Sequence, residues 1–407
     1  MNAVYKILSA RLFNPNSSKF IDTAVRISFC LLFSFAITFN YTGTYHLNYL
    51  SLGMYALTSI LTLYWCIVHK RFVIPHFWPL FAVFLIWIVI ANIVNLGKVT
   101  HMTFTILMLY ITSLIFYQFF SYHDNRKSIP QLFYVAFAFF YIILLIYYRH
   151  EILSLNISGR LDRFFGDPNV LGYTIVYGVI LYLYGALFKK KYWLFACALF
   201  GCFLLLFTGS RSAILVCSIS IAVTIGLRCG KKHFWVFLLT IIVGTAAGCG
   251  FLFLPFMEPL KERVMASLNV LFGKGANKDF STALRLEFVS EGLNLFFNRP
   301  IFGYGDYRVF TKYSIDGNDT HNNFIELLVD YGFVAFLAFQ SILLGLFHRS
   351  LKQKHDEDTK LVTSLLIAMF CIQFFYMNYS LKIDFLLLSF MLSFDQRKWI
   401  TKTRYYI

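Results

Sequence analysis

Charged side chains are scarce in this chain. Asp, Glu, Lys and Arg make up 14% of its 407 residues, against about 25% in soluble globular proteins, and this excludes an ordinary water-soluble domain. Proline is sparse as well. Pro15, Pro75, Pro79, Pro130, Pro168, Pro255, Pro259 and Pro300 all fall in expected loops or within a turn of an expected helix end, where a missing N–H costs little. The 8 cysteines lie in or beside apolar runs, with no CxxC and no Cys/His ligand spacing. They read as small apolar packing residues, so neither a disulfide framework nor structural zinc is expected. There is no GxxxxGK[ST] and no HExxH, which leaves ATP-driven and zinc-protease readings without support. Gly303-Tyr304-Gly305 reads as a turn. It is not a GxGxxG and follows no βαβ pattern, so nucleotide binding there is rejected. No small-residue cleavage site follows the first apolar run, which is expected to remain as a membrane helix.

What the chain does have is apolar and aromatic surface: 58% hydrophobic residues, 48 of them Phe. A spanning helix needs about 20 mostly apolar residues. That rule predicts helices near 23–42, 47–68, 77–97, 101–121, 129–148, 170–188, 192–208, 211–229, 234–256, 322–347, 361–379 and 383–395. The expected fold class is therefore an all-α integral membrane protein of about 12 transmembrane helices. The expected division is 1–256 as a membrane domain of nine helices, 257–321 as one long polar loop, and 322–407 as three further helices and a tail. The loop is expected to contain short helices over Glu258–Leu271 and Thr282–Phe297, the second capped by Asp279 or Ser281.

The basic residues give the orientation. With both termini cytoplasmic, the inside segments hold 22 of the 36 Lys and Arg but 6 of the 20 acids, so the whole net charge of +16 falls on that side. Topology thus accounts for the basic balance, and no nucleic-acid partner is expected. The loops 149–169, 257–321 and 380–383 and the hairpin tip Gly209-Ser210-Arg211 then lie outside the cytoplasmic membrane.

Several residues in those outer segments can carry chemistry. Arg211 opens a helix at a tight hairpin tip, Thr208-Gly209-Ser210-Arg211-Ser212. Unpaired N–H groups, hydroxyls and a guanidinium there suit a phosphate; the plain alternative is an arginine reaching lipid headgroups. His321 precedes an apolar run and suits a general base, or else caps its helix locally. Asn322, Glu326 and Asp330 are spaced i, i+4, i+8 and share one helix face. Acids there either face water in the first turns or face a bundle interior. Arg160, Arg163 and Arg285 are further candidates, each equally readable as a solvated surface arginine. Asp167-Pro168-Asn169 reads as a turn and helix cap.

Four pieces in order carry a resemblance: Phe164-Phe165-Gly166-Asp167-Pro168-Asn169; Gly209-Ser210-Arg211-Ser212; Arg285 with Arg299-Pro300-Ile301-Phe302-Gly303-Tyr304-Gly305; and His321-Asn322-Asn323-Phe324-Ile325-Glu326 with Gly332. Over residues 160–340 the chain resembles the O-antigen ligase/polymerase superfamily of bacterial envelope glycosyltransferases. The resemblance implies an undecaprenyl-pyrophosphate-linked glycan donor, a glycan acceptor, membrane lipids as surroundings, and neither metal nor other cofactor. A chain-length regulator is a further partner of such systems. It implies His321 as the base that activates the acceptor hydroxyl. It also implies Arg211 and Arg285, with Ser210 beside them, as the holders of the pyrophosphate. Arg160, Arg163, Asn322, Glu326 and Asp330 are supporting candidates from this sequence alone; an orienting role for Glu326 or Asp330 toward His321 is not part of the family pattern. Within the superfamily a polymerase, building O-antigen or capsular polysaccharide, and a ligase, loading lipopolysaccharide core, both fit, and the polymerase is favoured. The rival from another class is a transporter of lipid-linked sugars. No inverted hydropathy repeat supports it, and the polar residues cluster on one side.

Overall fold

The structure is a computed structural model that describes residues 15–38, 45–122, 125, 128–154, 167–229, 235, 257–271, 280–306, 321–352, 357–376 and 382–396. Among these residues there is no strand; helices α1 to α14 follow one another in the chain. They are α1 Pro15–Thr38, α2 Tyr45–Val68, α3 Trp78–Leu96, α4 His101–Phe120, α5 Ile129–Tyr147, α6 Arg149–Leu153, α7 Pro168–Phe188, α8 Leu194–Phe207, α9 Arg211–Cys229, α10 Glu258–Leu271, α11 Phe280–Asn298, α12 Asn323–Lys352, α13 Glu357–Ile372 and α14 Lys382–Leu392. Every expected apolar run coincides with a helix except 234–256, which lies almost wholly outside the described residues. Eight helices among the described residues, α1 to α5, α7, α9 and α12, contain a stretch long and apolar enough to cross a membrane. This is an all-α membrane protein. Its helices satisfy their own backbone groups, as a lipid interior requires.

Two compact units are distinguished, one of residues 1–78, 108–143 and 382–407, the other of residues 79–107 and 144–381. In the first, α1 packs against α2 and α14, and its phenylalanines meet those of α4 and α5. The Phe29 ring lies 5.0 Å from Phe116 and 5.2 Å from Phe119, and Phe33 stacks on Phe133 at 4.3 Å. Lipid tails are as apolar as these side chains, so close packing rather than escape from water holds such a cluster together. The abundance of Phe is spent here on shape.

The second unit is built around α7, which is buried all round and packs against α8, α9 and α13. Such a helix belongs to the interior of a bundle. Gly172 lets α9 approach: a Cβ there would stand 2.6 Å from Ala213 Cβ. At the far end of α7, Asp358 accepts from Tyr184 Oη at 2.6 Å and pairs with Lys189 at 2.8 Å.

Helix α12 departs from the regular span expected over 322–347. It is broken at Gly332, whose φ of 77° lies in the left-handed region. The break frees three consecutive carbonyls, and each finds a new donor. Tyr304 N bonds Val329 O at 2.9 Å, Gly305 N bonds Asp330 O at 2.7 Å, and Trp87 Nε1 bonds Tyr331 O at 3.0 Å. The Phe333 N–H, displaced from its helical partner, donates to Pro300 O at 2.8 Å. A buried polar group left unpaired costs about 1–3 kcal/mol, so the loop 299–306 and the break stabilise each other. Their backbones touch: a Cβ on Gly303 would fall on the Val329 and Asp330 carbonyls, and one on Gly332 on the Ile301 carbonyl. Asp306 pins the end of this loop. Its carboxylate accepts from Tyr331 Oη, from the Thr100 and Thr103 hydroxyls and from Thr103 N, while its own N–H donates to Asn92 Oδ1 at 2.7 Å. The turn expected at Gly303–Asp306 is thus a docking element seated on α3, α4 and α12.

Candidate active site

The site is assembled where helices of the second unit begin and end. Asp167 caps α7, its carboxylate accepting from Asn169 N at 2.8 Å. That freezes the first turn and presents Asn169, whose Oδ1 accepts from Ser210 Oγ at 2.8 Å. Ser210 also caps α9 by accepting from Ala213 N at 3.3 Å, and Gly209 makes the turn before it at φ 61°. One turn into α7, Tyr173 Oη and Ser212 Oγ are 2.7 Å apart. The N-termini of α7 and α9 are therefore tied side by side, with half-exposed Arg211 as the first residue of α9.

The other side comes from α12 and α13. Asn323 N donates to Gln373 O at 2.8 Å, and Asn323 Nδ2 to Gln373 Oε1 at 2.9 Å. This buried pair ties the start of α12 to the end of α13. Asn322 caps α12, its Oδ1 accepting from Phe324 N at 3.0 Å and Ile325 N at 3.2 Å. His321 stands just outside the cap with φ 52°, and its ring lies 6.2 Å from that of Tyr376. Tyr376 in turn lies 6.1 Å from Tyr173. Half-exposed Arg285 on α11 lies close enough to the Tyr173 hydroxyl for its charge to act there, as does the carboxylate of Asp167.

The structure thus brings Ser210, Arg211, Arg285, His321 and Asn322 to one end of the α7, α9, α12 and α13 group. Three helix N-termini open there, each the positive end of a backbone dipole. Two guanidiniums and an imidazole lie toward the same end, a set of groups whose chemistry suits a polyanion and a proton transfer. Ser210 is buried, and its hydroxyl proton is directed to Asn169. It builds the tip, and a phosphate oxygen would have to replace Asn169 to receive that proton. Asn322 is occupied as a helix cap. Glu326 and Asp330 are buried, which overturns the water-facing alternative for both; the Asp330 carbonyl also holds the 299–306 loop. Arg160 and Arg163 lie outside the described residues. Tyr304 packs beside Phe288, Ile325 and Val329 beneath Arg299, whose guanidinium sits 4.7 Å from its ring.

Over this region the chain is similar to a known family. Residues 193–340 match the family model described as O-antigen ligase. This is the superfamily that the motif order resembles. The O-antigen ligase match covers somewhat over a third of the chain, from just before α8 into α12, and contains Ser210, Arg211, Arg285 and His321. It leaves out α7 and all of α13. No curated protein is recognisably similar to the chain. Tyr173, Gln373 and Tyr376 carried no reading from sequence, and Asn169 and Ser212 entered only as parts of motifs. Asn169 and Tyr173 stand four residues apart on one helix face, a readable signal. Tyr376 carries none, because only the packing of α13 brings it to His321. The chain also contains an Asp-x-Asp, Asp356-Glu357-Asp358. Asp358 is held by Tyr184 and Lys189 near the start of α13, whereas Tyr376 stands beyond its other end.

Proposed function

We propose that the protein is a glycosyltransferase that polymerises polyprenyl-pyrophosphate-linked oligosaccharide repeat units on the outer side of the cytoplasmic membrane. One observation carries this reading: the arginine-bearing tip of α9, Arg285 and His321 lie toward a single end of one helix group, inside the segment that matches the O-antigen ligase family. In the proposed reaction a hydroxyl of the acceptor glycan attacks the anomeric carbon of the donor. The bond between that carbon and the pyrophosphate oxygen breaks, and the lipid pyrophosphate leaves with the electron pair. His321 takes the hydroxyl proton, a task suited to an imidazole near neutral pH. Arg211, Arg285 and the helix N-termini face the growing negative charge, and preorganised donors of this kind lower such barriers most. We propose that these cations serve in place of a metal, so that EDTA leaves turnover unchanged; loss of turnover restored by a divalent ion would contradict this.

The family description favours a second acceptor, the lipid A-core of lipopolysaccharide, which would make the protein a ligase. Deleting the gene and examining the surface glycan separates the two. A single repeat unit left on the core marks a lost polymerase. Full polymer stranded on the carrier lipid marks a lost ligase. An unchanged glycan defeats both.

A further inference from the structure

The two halves of the proposed site rest on unlike supports. Arg211 opens a helix whose first turn is bonded through Ser210 and Ser212 to α7. His321 stands just outside the capped start of α12 with a left-handed backbone. A ring on a fixed element lies beside it. Tyr376 N donates to Ile372 O at 2.9 Å, extending the α13 helix by a turn. Its side chain lies against His321 on one side, with ring centres 6.2 Å apart and planes inclined by 32°, and against Tyr173 on the other at 6.1 Å. Tyr173 is buried, and its hydroxyl reaches Ser212 beside Arg211 while lying within the field of Arg285. A continuous line of side chains therefore runs from the anion-holding residues to the histidine.

We propose that Tyr173 and Tyr376 are positioning residues. The ring of Tyr376 sets the direction of the His321 imidazole, and the hydroxyl of Tyr173 sets the helix tip that carries Arg211. The inference rests on the transferase reading above. Tyr376 meets His321 through its ring and Tyr173 meets Ser212 through its hydroxyl, so under this proposal the two positions answer differently to loss of an oxygen. At Tyr376 phenylalanine keeps the brace and leucine removes it. At Tyr173 phenylalanine keeps the packing and cuts the link to Ser212.

The test uses the full-length protein in proteoliposomes. The donor is lipid-linked oligosaccharide extracted from a strain lacking the gene. Tyr376→Phe is expected to stay within about twofold of wild type. Tyr376→Leu is expected to lose kcat by about tenfold to a hundredfold at nearly unchanged donor KM, the scale of a misplaced reacting group. Tyr173→Phe is expected to raise donor KM by about tenfold at nearly unchanged kcat, the scale of one hydrogen bond near a charge. Thermal midpoints of the three variants should agree, and Tyr376→Met replaces the leucine variant if that one does not insert. Equal kcat for Tyr376→Phe and Tyr376→Leu, or an unchanged KM for Tyr173→Phe, overturns the inference. His321→Ala is the reference. If it is inactive while Tyr376→Leu is fully active, the positioning role fails alone. If His321→Ala is itself fully active, the transferase reading fails and this inference with it.

Discussion

Helices α7 and α12 both begin at the proposed site, yet they are built in opposite ways. The first is regular from its Asp167 cap to Phe188, is buried all round, and meets α9 closely at Gly172. The second is broken at Gly332 and lends its freed carbonyls to a loop from elsewhere in the chain. A helix surrounded by protein gains nothing from breaking, because its backbone groups have no better partners. A break is tolerated where another backbone supplies equivalent bonds, and the 299–306 loop does so. The regular helix serves as a post, and the broken one holds the loop that follows Arg285-bearing α11.

The largest expected effects fall where these helices start. His321→Ala and Arg211→Ala should each lower turnover by about a hundredfold to a thousandfold or more, with insertion into the membrane intact. Normal chain lengths on gels from both variants would remove the catalytic reading.

The two glycines test the comparison directly. Gly332→Ala must adopt a left-handed backbone and also displaces the Ile301 carbonyl. Gly172→Ala has helical backbone and meets only the Ala213 methyl. The first is expected to cost more than about 3 kcal/mol and the second about 1–3 kcal/mol, read from thermal unfolding in detergent. The reverse order would show that the break is not the more constrained feature.

Asp306→Ala comes next. It removes the acceptor shared by the hydroxyls of Tyr331, Thr100 and Thr103, and limited proteolysis should cut near residue 306 at least several-fold faster while α7 stays protected. Trp87→Phe is the mildest. It keeps the stack on Phe302, with ring centres 5.0 Å apart, and removes the one indole N–H shared by Tyr331 O and Ile301 O, so about 1 kcal/mol is expected.

Much of this was legible in the sequence. Twenty-residue apolar stretches between charged turns have one stable form in lipid, so the helices followed from length and composition. The cap at Asp167 and the tight tip at Ser210 were legible as well, because they depend on neighbours within a few positions, whereas the local cap offered at His321 falls on Asn322. Arg211, Arg285 and His321 were candidates through residue chemistry and motif order. The buried state of Glu326 and Asp330 was open, since an acid near a helix start suits water and interior equally until the neighbours are known.

The sequence by itself therefore determined the class of protein and the residue types able to hold a pyrophosphate and move a proton. Only the tertiary structure decided that Gly332 breaks its helix, that Asp306 pins the loop that fills the break, and that Tyr173 and Tyr376 stand between the arginines and the histidine. Each of these depends on groups tens to hundreds of residues apart meeting within hydrogen-bond or ring-contact distance. Helical periodicity relates a residue only to its near neighbours, and such meetings are set by how the helices pack.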